Sequence, residues 1–364
     1  MRYFQLLCVS ALSSSLLACG GGGSGGTSGT TTVTPNPMTQ TLQTNPTANY
    51  AQDSVQRTVF SLINAQRSQC HFGTLNQHVA LDLAATNHAK YLVFNGFSTA
   101  HDEVAGQPLF TGLTPQAQAL SAGYSANPDA FSAQLVTVSD LIPNSDAAQL
   151  AAWKTSQAEQ SVRSLLSAPY HLSGMMVGAR ELGIAQVLST DVPNAPANRL
   201  AFNLFLASAT GAGIQQAPDT QVSSYPCAGV TGTQTGLFNE NPNPIPNASG
   251  SSSLSAGQPV LIHAPVGQVL TISDYVMTNA NDVAVTAALL THANPQHNPS
   301  GFPADANAQL ASNEAVILPL APLTANTTYH VVVNGTRKAG TASPVAFQLD
   351  FRFTTGSGNA SPTL

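Results

Sequence analysis

The chain has 364 residues and a formal net charge of −6, with only 8% charged side chains against 43% hydrophobic ones. No basic cluster occurs anywhere in it, which argues against a nucleic-acid partner. After the first residues no apolar run is long enough for a transmembrane helix, and the length suits two domains of ordinary size.

The N-terminus, MRYFQLLCVSALSSSLLAC, has one basic residue, Arg2, then an apolar and small-residue run ending at Cys19. That run is too short to span a bilayer and has the flanks of a secretory signal. Leu16, Leu17 and Ala18 before the cysteine resemble the lipobox of bacterial lipoproteins. The resemblance implies a signal peptide over residues 1–18, cleavage before Cys19 and a lipid on its sulfur. The partner of that end is then a membrane, to which two or more acyl chains anchor stably where one does not. Gly20, in place of an aspartate, fits an outer-membrane address in a Gram-negative envelope. Residues 19–52 carry no charge before Asp53 and are rich in Gly, Thr and Pro, the composition of a tether.

Once Cys8 leaves with the signal and Cys19 takes lipid, Cys70 and Cys227 remain. Exported chains rarely keep free thiols, so a Cys70–Cys227 disulfide is the expectation.

Residues 53–215 read as helices followed by strands. DSVQRTVFSLINAQRSQ places Val55, Val59, Leu62 and Ile63 at helical spacing. A second helix runs over about 78–95, with Gly96 where a C-cap belongs. Thr114, Pro115 and Gly123 bracket a short third helix. A fourth is expected to start at Ser156, with Glu159 completing a capping box, and to stop at Pro169. ELGIAQVL and RLAFNLFLAS read as strands, so the class is α+β. Residues 216–253 are turn-rich and read as a linker together with the entry into a second domain. Residues 254–356 hold short strand candidates, clearest in FQLDFRFTT, where Phe347, Leu349, Phe351 and Phe353 alternate with polar residues. They suit an all-β sandwich, and PLAPLTANTTYHVVV with FRFTTG resembles the end of bacterial Ig-like modules. Residues 357–364 are a tail.

LINAQRSQ, LDLAATNHAKYLVFNGF, STAH, SAGY, LLSAPYHLSG and ELGIA, in that order, resemble the CAP superfamily (cysteine-rich secretory proteins, antigen 5 and pathogenesis-related 1), whose unit is also called the SCP domain. The resemblance implies an α-β-α sandwich with a cleft of two histidines and two acidic residues. In several members the histidines bind a divalent metal, often zinc. The histidines fall here on His101 and His171, and both are expected in loops after helices. Two imidazoles alone make a weak metal site, so a third ligand is sought in Asp102, Glu103 or Glu181. The family's first glutamate is missing after Gly123-Tyr124, where Gln134 stands closest, with Asp140 behind it. The second acid falls on Glu159. A glutamine orients a histidine but supplies no charge. His88, on the apolar stripe of its helix, reads as a core or cleft-wall residue.

The damaged acidic half and the lack of HExxH, GxSxG or CxxC motifs favour a non-enzymatic binding module for a small or lipidic ligand or a partner. The alternatives are an envelope adhesin or structural protein and, behind it, a metal-dependent hydrolase or protease using His101 and His171.

Overall fold

A computed structural model of the chain describes residues 41–139, 146–237, 240–245, 256–292 and 304–358. The expected signal peptide, the expected lipid site Cys19 and Asp140 lie outside these residues. The described part is mixed α and β, with five α-helices and three four-stranded sheets. None of its helices is long and apolar enough to cross a membrane.

Helix α1 (Val55–Gln69) starts at Ser54, whose hydroxyl accepts from the Arg57 N–H. Its buried Val59, Phe60 and Ile63 face the core. Near its end the wholly buried Arg67 donates to the carbonyls of Phe72, Gly73 and Met175. Burial pulls that guanidinium down to about 9, still charged at neutral pH. Strand β1 (Asn76–Gln77) leads into α2 (Val79–Asn95), capped by the His78 ring at its start and by Gly96, at φ 103°, at its end. Helix α3 (Pro115–Ser121) has Thr114 as N-cap and Pro115 in its first turn, as its sequence indicates.

Strand β2 (Ala130–Ser139) was not anticipated. Helix α4 (Ala147–Leu165) begins well before the expected Ser156, on a capping box of Asp146 and Gln149. Its first turns are exposed and carry no apolar stripe, so periodicity reveals only the packed half around Ala158, Val162 and Leu165. Ser156 and Glu159 are therefore mid-helix, and the Glu159 capping role is withdrawn. Pro169 opens α5 (Pro169–Met176) as its first residue.

Strands β3 (Glu181–Leu188) and β4 (Arg199–Ser208) complete a sheet of order β1-β3-β4-β2, with β1 parallel to β3 and the other pairs antiparallel. Alternation along β4 sorts its side chains to two faces. Leu200, Phe202, Leu204 and Leu206 join the core containing α1, α4 and α5, while Ala201, Phe205 and Ala207 pack with α2 and α3. A Cβ on Gly183 would strike the Leu81 backbone, so this glycine lets α2 lie close on β3.

The remaining strands form two sheets. One has the order β5-β7-β10-β9, from β5 (Ser223–Tyr225), β7 (Val260–His263), β10 (Glu314–Pro319) and β9 (Ala287–Thr291). The other has the order β6-β12-β11-β8, from β6 (Thr231–Thr233), β12 (Val345–Thr355), β11 (Thr328–Ala339) and β8 (Gln268–Thr278). The first is buried along nearly every residue of β7, β9 and β10. The second alternates buried and accessible positions along β11. The difference follows from position: α5 packs against β7 and β10, so that sheet is covered by helix on one side and by apolar side chains of the second sheet on the other.

Two expected boundaries change. Residues 43–50, read as the end of the tether, are bonded to the body. The Gln43 side chain donates to the carbonyls of Thr74 and Arg180, and the Tyr50 hydroxyl to Asp82. Residues 216–253, read as linker, hold β5, β6 and Cys227. The Cys70–Cys227 disulfide is present, with Cα atoms 5.5 Å apart, and ties the end of α1 to this segment. One apolar core runs from Val59 of α1 to Phe353 of β12.

Candidate functional site

The loop after α2 is built around a buried acid. His88 projects from α2 with Nδ1 3.0 Å from Glu103 Oε1 and Nε2 2.9 Å from the Ala100 carbonyl. The carbonyl can only accept, so Nε2 donates to it, and Nδ1 shares a proton with the Glu103 carboxyl group. The backbone N–H groups of Thr111 and Gly112 and the Thr111 hydroxyl also donate to Glu103. Asn95 and the Tyr91 hydroxyl hold the loop further, through the Pro108 carbonyl and the Val104 N–H. Both His88 and Glu103 side chains are fully buried. Glu103 is thus neither a solvated neighbour nor a spare metal ligand. Every strong donor nearby has already claimed it. Asp102 is exposed.

His101 lies on this loop with its ring centre 6.5 Å from that of His171. Its Nδ1 is buried and has no hydrogen-bond partner among the described residues. Burial first, then electrostatic repulsion from the neighbouring His171 and His88, pushes its imidazole down to about 3, so it is neutral at ordinary pH.

His171 sits in the first turn of α5, not in a loop. Ala168, at the N-cap, offers no side-chain acceptor. That role is filled from a distance by Glu240, whose Oε1 accepts from the N–H groups of Tyr170 and His171 and lies 2.8 Å from His171 Nδ1. A carboxylate at a helix N-terminus also gains from the helix dipole. Its Oε2 is buried and unpartnered among the described residues. Glu240 therefore fixes both the helix start and the ring orientation, and leaves the other ring nitrogen as the free one. It is the residue that sequence reasoning missed. Its only signal is an acid in a turn-rich segment, and nothing local links it to position 171.

The other expected residues divide. Gln134, on β2, lies beneath α5, since a Cβ on Gly174 would strike its amide nitrogen. It donates to Ser132 and keeps a buried, unpartnered Oε1. Glu181 accepts from the Tyr124 hydroxyl at 2.6 Å, a bond that, after burial itself, holds that phenol well above its usual range. Glu159 is half-buried on α4, and no hydrogen bond or ion pair joins it to either histidine among the described residues.

The two rings nearly fit one ion. Two imidazoles on a tetrahedral zinc-like ion, with bonds of about 2.0–2.1 Å, have ring centres roughly 5 Å apart, so the pair here would need to close by about an ångström. No group of three or more His, Cys, Asp or Glu side chains able to hold a metal is gathered among the described residues. Glu103, Glu181 and Glu240 are occupied by His88, Tyr124 and His171. The residues fit a two-histidine attachment and do not make a closed metal centre.

The same helix binds the β region through neighbouring side chains. Tyr170 donates to Asp305 at 2.5 Å and Ser173 to Glu314 at 2.7 Å. The helix carrying His171 is thus held from both regions. No protein-family model matches this chain, and no curated protein matches it.

Proposed function

We propose that this is an exported, lipid-anchored envelope protein of the CAP type, whose two-histidine site binds a ligand and does not catalyse. The carrying observation is His101: a buried, neutral imidazole with a free Nδ1, set 6.5 Å from an imidazole that Glu240 orients. Such a pair offers lone pairs to a divalent cation or to a donor group of a small ligand. A hydrolase also needs a carboxylate placed to take a proton from water. Glu103 and Glu181 are committed to structural partners, and Glu240, whose Oε1 is taken by α5 and the His171 ring, keeps only a buried Oε2, which favours binding over turnover. In this reading residues 254–356 are an Ig-like brace that keeps α5 in place.

Calorimetric titration with zinc alone tests it. One site of micromolar or weaker affinity is expected, lost in a His101→Ala/His171→Ala variant that still folds by circular dichroism. Histidine-dependent hydrolysis of a casein or ester substrate would instead establish the hydrolase reading. A surface-display role has one observation in its favour, a shallow groove of about 420 Å³ between Val283, Val285, Leu320, Leu323 and Tyr329 on the β region. Deleting groove side chains should leave adhesion of whole cells unchanged if binding at the histidines is the main role.

A further inference from the structure

The loop that carries His101 continues into a surface that the histidine site does not explain. Val104, Leu109, Phe110, Leu113 and Leu120 are all exposed, Leu113 by 57% and Leu120 by 50%. Val79, at the start of α2 beside α3, is 77% exposed. From residue 104 to residue 128 there is no charged side chain. A soluble surface normally dilutes apolar side chains with charge, so an uncharged apolar face signals a partner.

The face is rigid. Glu103, Asn95 and Tyr91 bond its backbone from inside, and Leu109 is held at φ 64°, a left-handed conformation costly for a bulky residue. The fold thus fixes this loop in place while turning its large side chains outward.

The position of the N-terminal segment indicates the occupant. Residues 43–50 are bonded along β1 and the start of α2, through Thr47 with Asn76, Asn49 with Gln77 and Tyr50 with Asp82. The chain therefore reaches the body beside the helix bearing Val79. Cys19 lies only some two dozen residues before Gln43, which sets a ceiling of about 80 Å between them even when fully extended. We infer that the loop over residues 104–113, with α3 and the start of α2, rests in the interface of the bilayer to which the N-terminus is attached. With no charge between residues 104 and 128, the loop and α3 suit zwitterionic headgroups, and their contact should depend little on salt. The inference uses the lipid anchor of the proposed function for proximity only.

A tryptophan reporter tests it. Trp153, the only tryptophan, lies on α4, on the other side of the sheet from α2 and α3. The exported protein is purified with Leu113→Trp in a Trp153→Phe background, and separately with Trp153 alone. Mass measurement reports the acyl chains. Each form is mixed with phosphatidylcholine vesicles with and without brominated acyl chains, and flotation is scored. Quenching about threefold greater at position 113 than at Trp153, unchanged at high salt and reduced by Leu120→Asp, is the expected result. Equal quenching at the two positions in a protein that floats with the vesicles would overturn it. Quenching at 113 in a protein without acyl chains would sink the anchor and leave the face standing. Neither acyl chains nor flotation would sink both. A blue shift at 113 without lipid, together with a doubled sedimentation mass, would assign the face to a second copy and overturn the inference.

Discussion

The molecule contains two buried histidine–glutamate pairs built in opposite ways. His88 and Glu103 come from one helix and the loop that follows it, and the pair is sealed from solvent. His171 and Glu240 come from a helix of the α/β region and a segment beyond β6, and the His171 side chain is 20% exposed. The first pair spends all its hydrogen-bonding capacity on holding a loop. The second leaves one carboxylate oxygen, Glu240 Oε2, buried and without a partner among the described residues. The same two residue types serve as a fastener in one place and as an open site in the other. Each acid accepts two backbone N–H groups; what separates them is that Glu103 engages both carboxylate oxygens, with the Thr111 hydroxyl added, whereas Glu240 accepts through Oε1 alone.

The comparison can be broken at several points. The largest effect is expected at the disulfide, which closes 157 residues of sequence and holds the segment leading to Glu240. Cys70→Ser/Cys227→Ser should cost about 4–5 kcal/mol by the loop-entropy argument, read from urea midpoints. It should loosen the His171 pair before the His88 pair, as seen by hydrogen exchange at Tyr170 against Thr111. Next, Glu103→Ala leaves a buried imidazole nitrogen and two N–H groups without their acceptor and should cost about 3–5 kcal/mol. A loss under about 1 kcal/mol would show that the local pair is dispensable.

A smaller effect is expected from pH. His101 binds a proton near 6.5 when unfolded and only near 3 when folded, because burial opposes its charge. Between those values the unfolded state holds more protons, so stability is complete above about pH 6.5 and falls as pH drops toward 3. The slope reaches about 1.4 kcal/mol per pH unit at most. His101→Gln should flatten that part of the stability profile, and an unchanged profile would mean the ring is solvated. The mildest change is Glu240→Gln, which keeps an acceptor for the two N–H groups and should cost about 1 kcal/mol. It should nevertheless weaken zinc binding about tenfold, since the imidazole loses its orienting charge. Zinc affinity equal to that of the parent would reduce Glu240 to a helix cap.

Much of this was legible in the residues where the causes are local. The C-cap of α2, the N-cap of α3, the strands β3 and β4, the alternation of β12 and the burial of His88 follow from neighbours within a few positions. The pairing of Cys70 with Cys227 followed from there being no other partners. Strand β2 escaped because its alternation of apolar and polar residues is weak. Strand β9, AALLT, escaped because a short apolar run buried on both faces has no period to detect. The start of α4 escaped because only Leu150 and Trp153 of its first turns pack partly on the core, too few to set a helical period.

The sequence by itself determined the elements whose hydrogen bonds and apolar faces close within one segment, and it named His101 and His171 as the pair to examine. Only the tertiary structure decided which acids remain free to serve that pair. Glu103 was lost to a helix one turn of loop away, and Glu240 was gained from the far side of β6. A carboxylate goes where the most donors converge, and that convergence is a property of packing between segments, which no local pattern encodes.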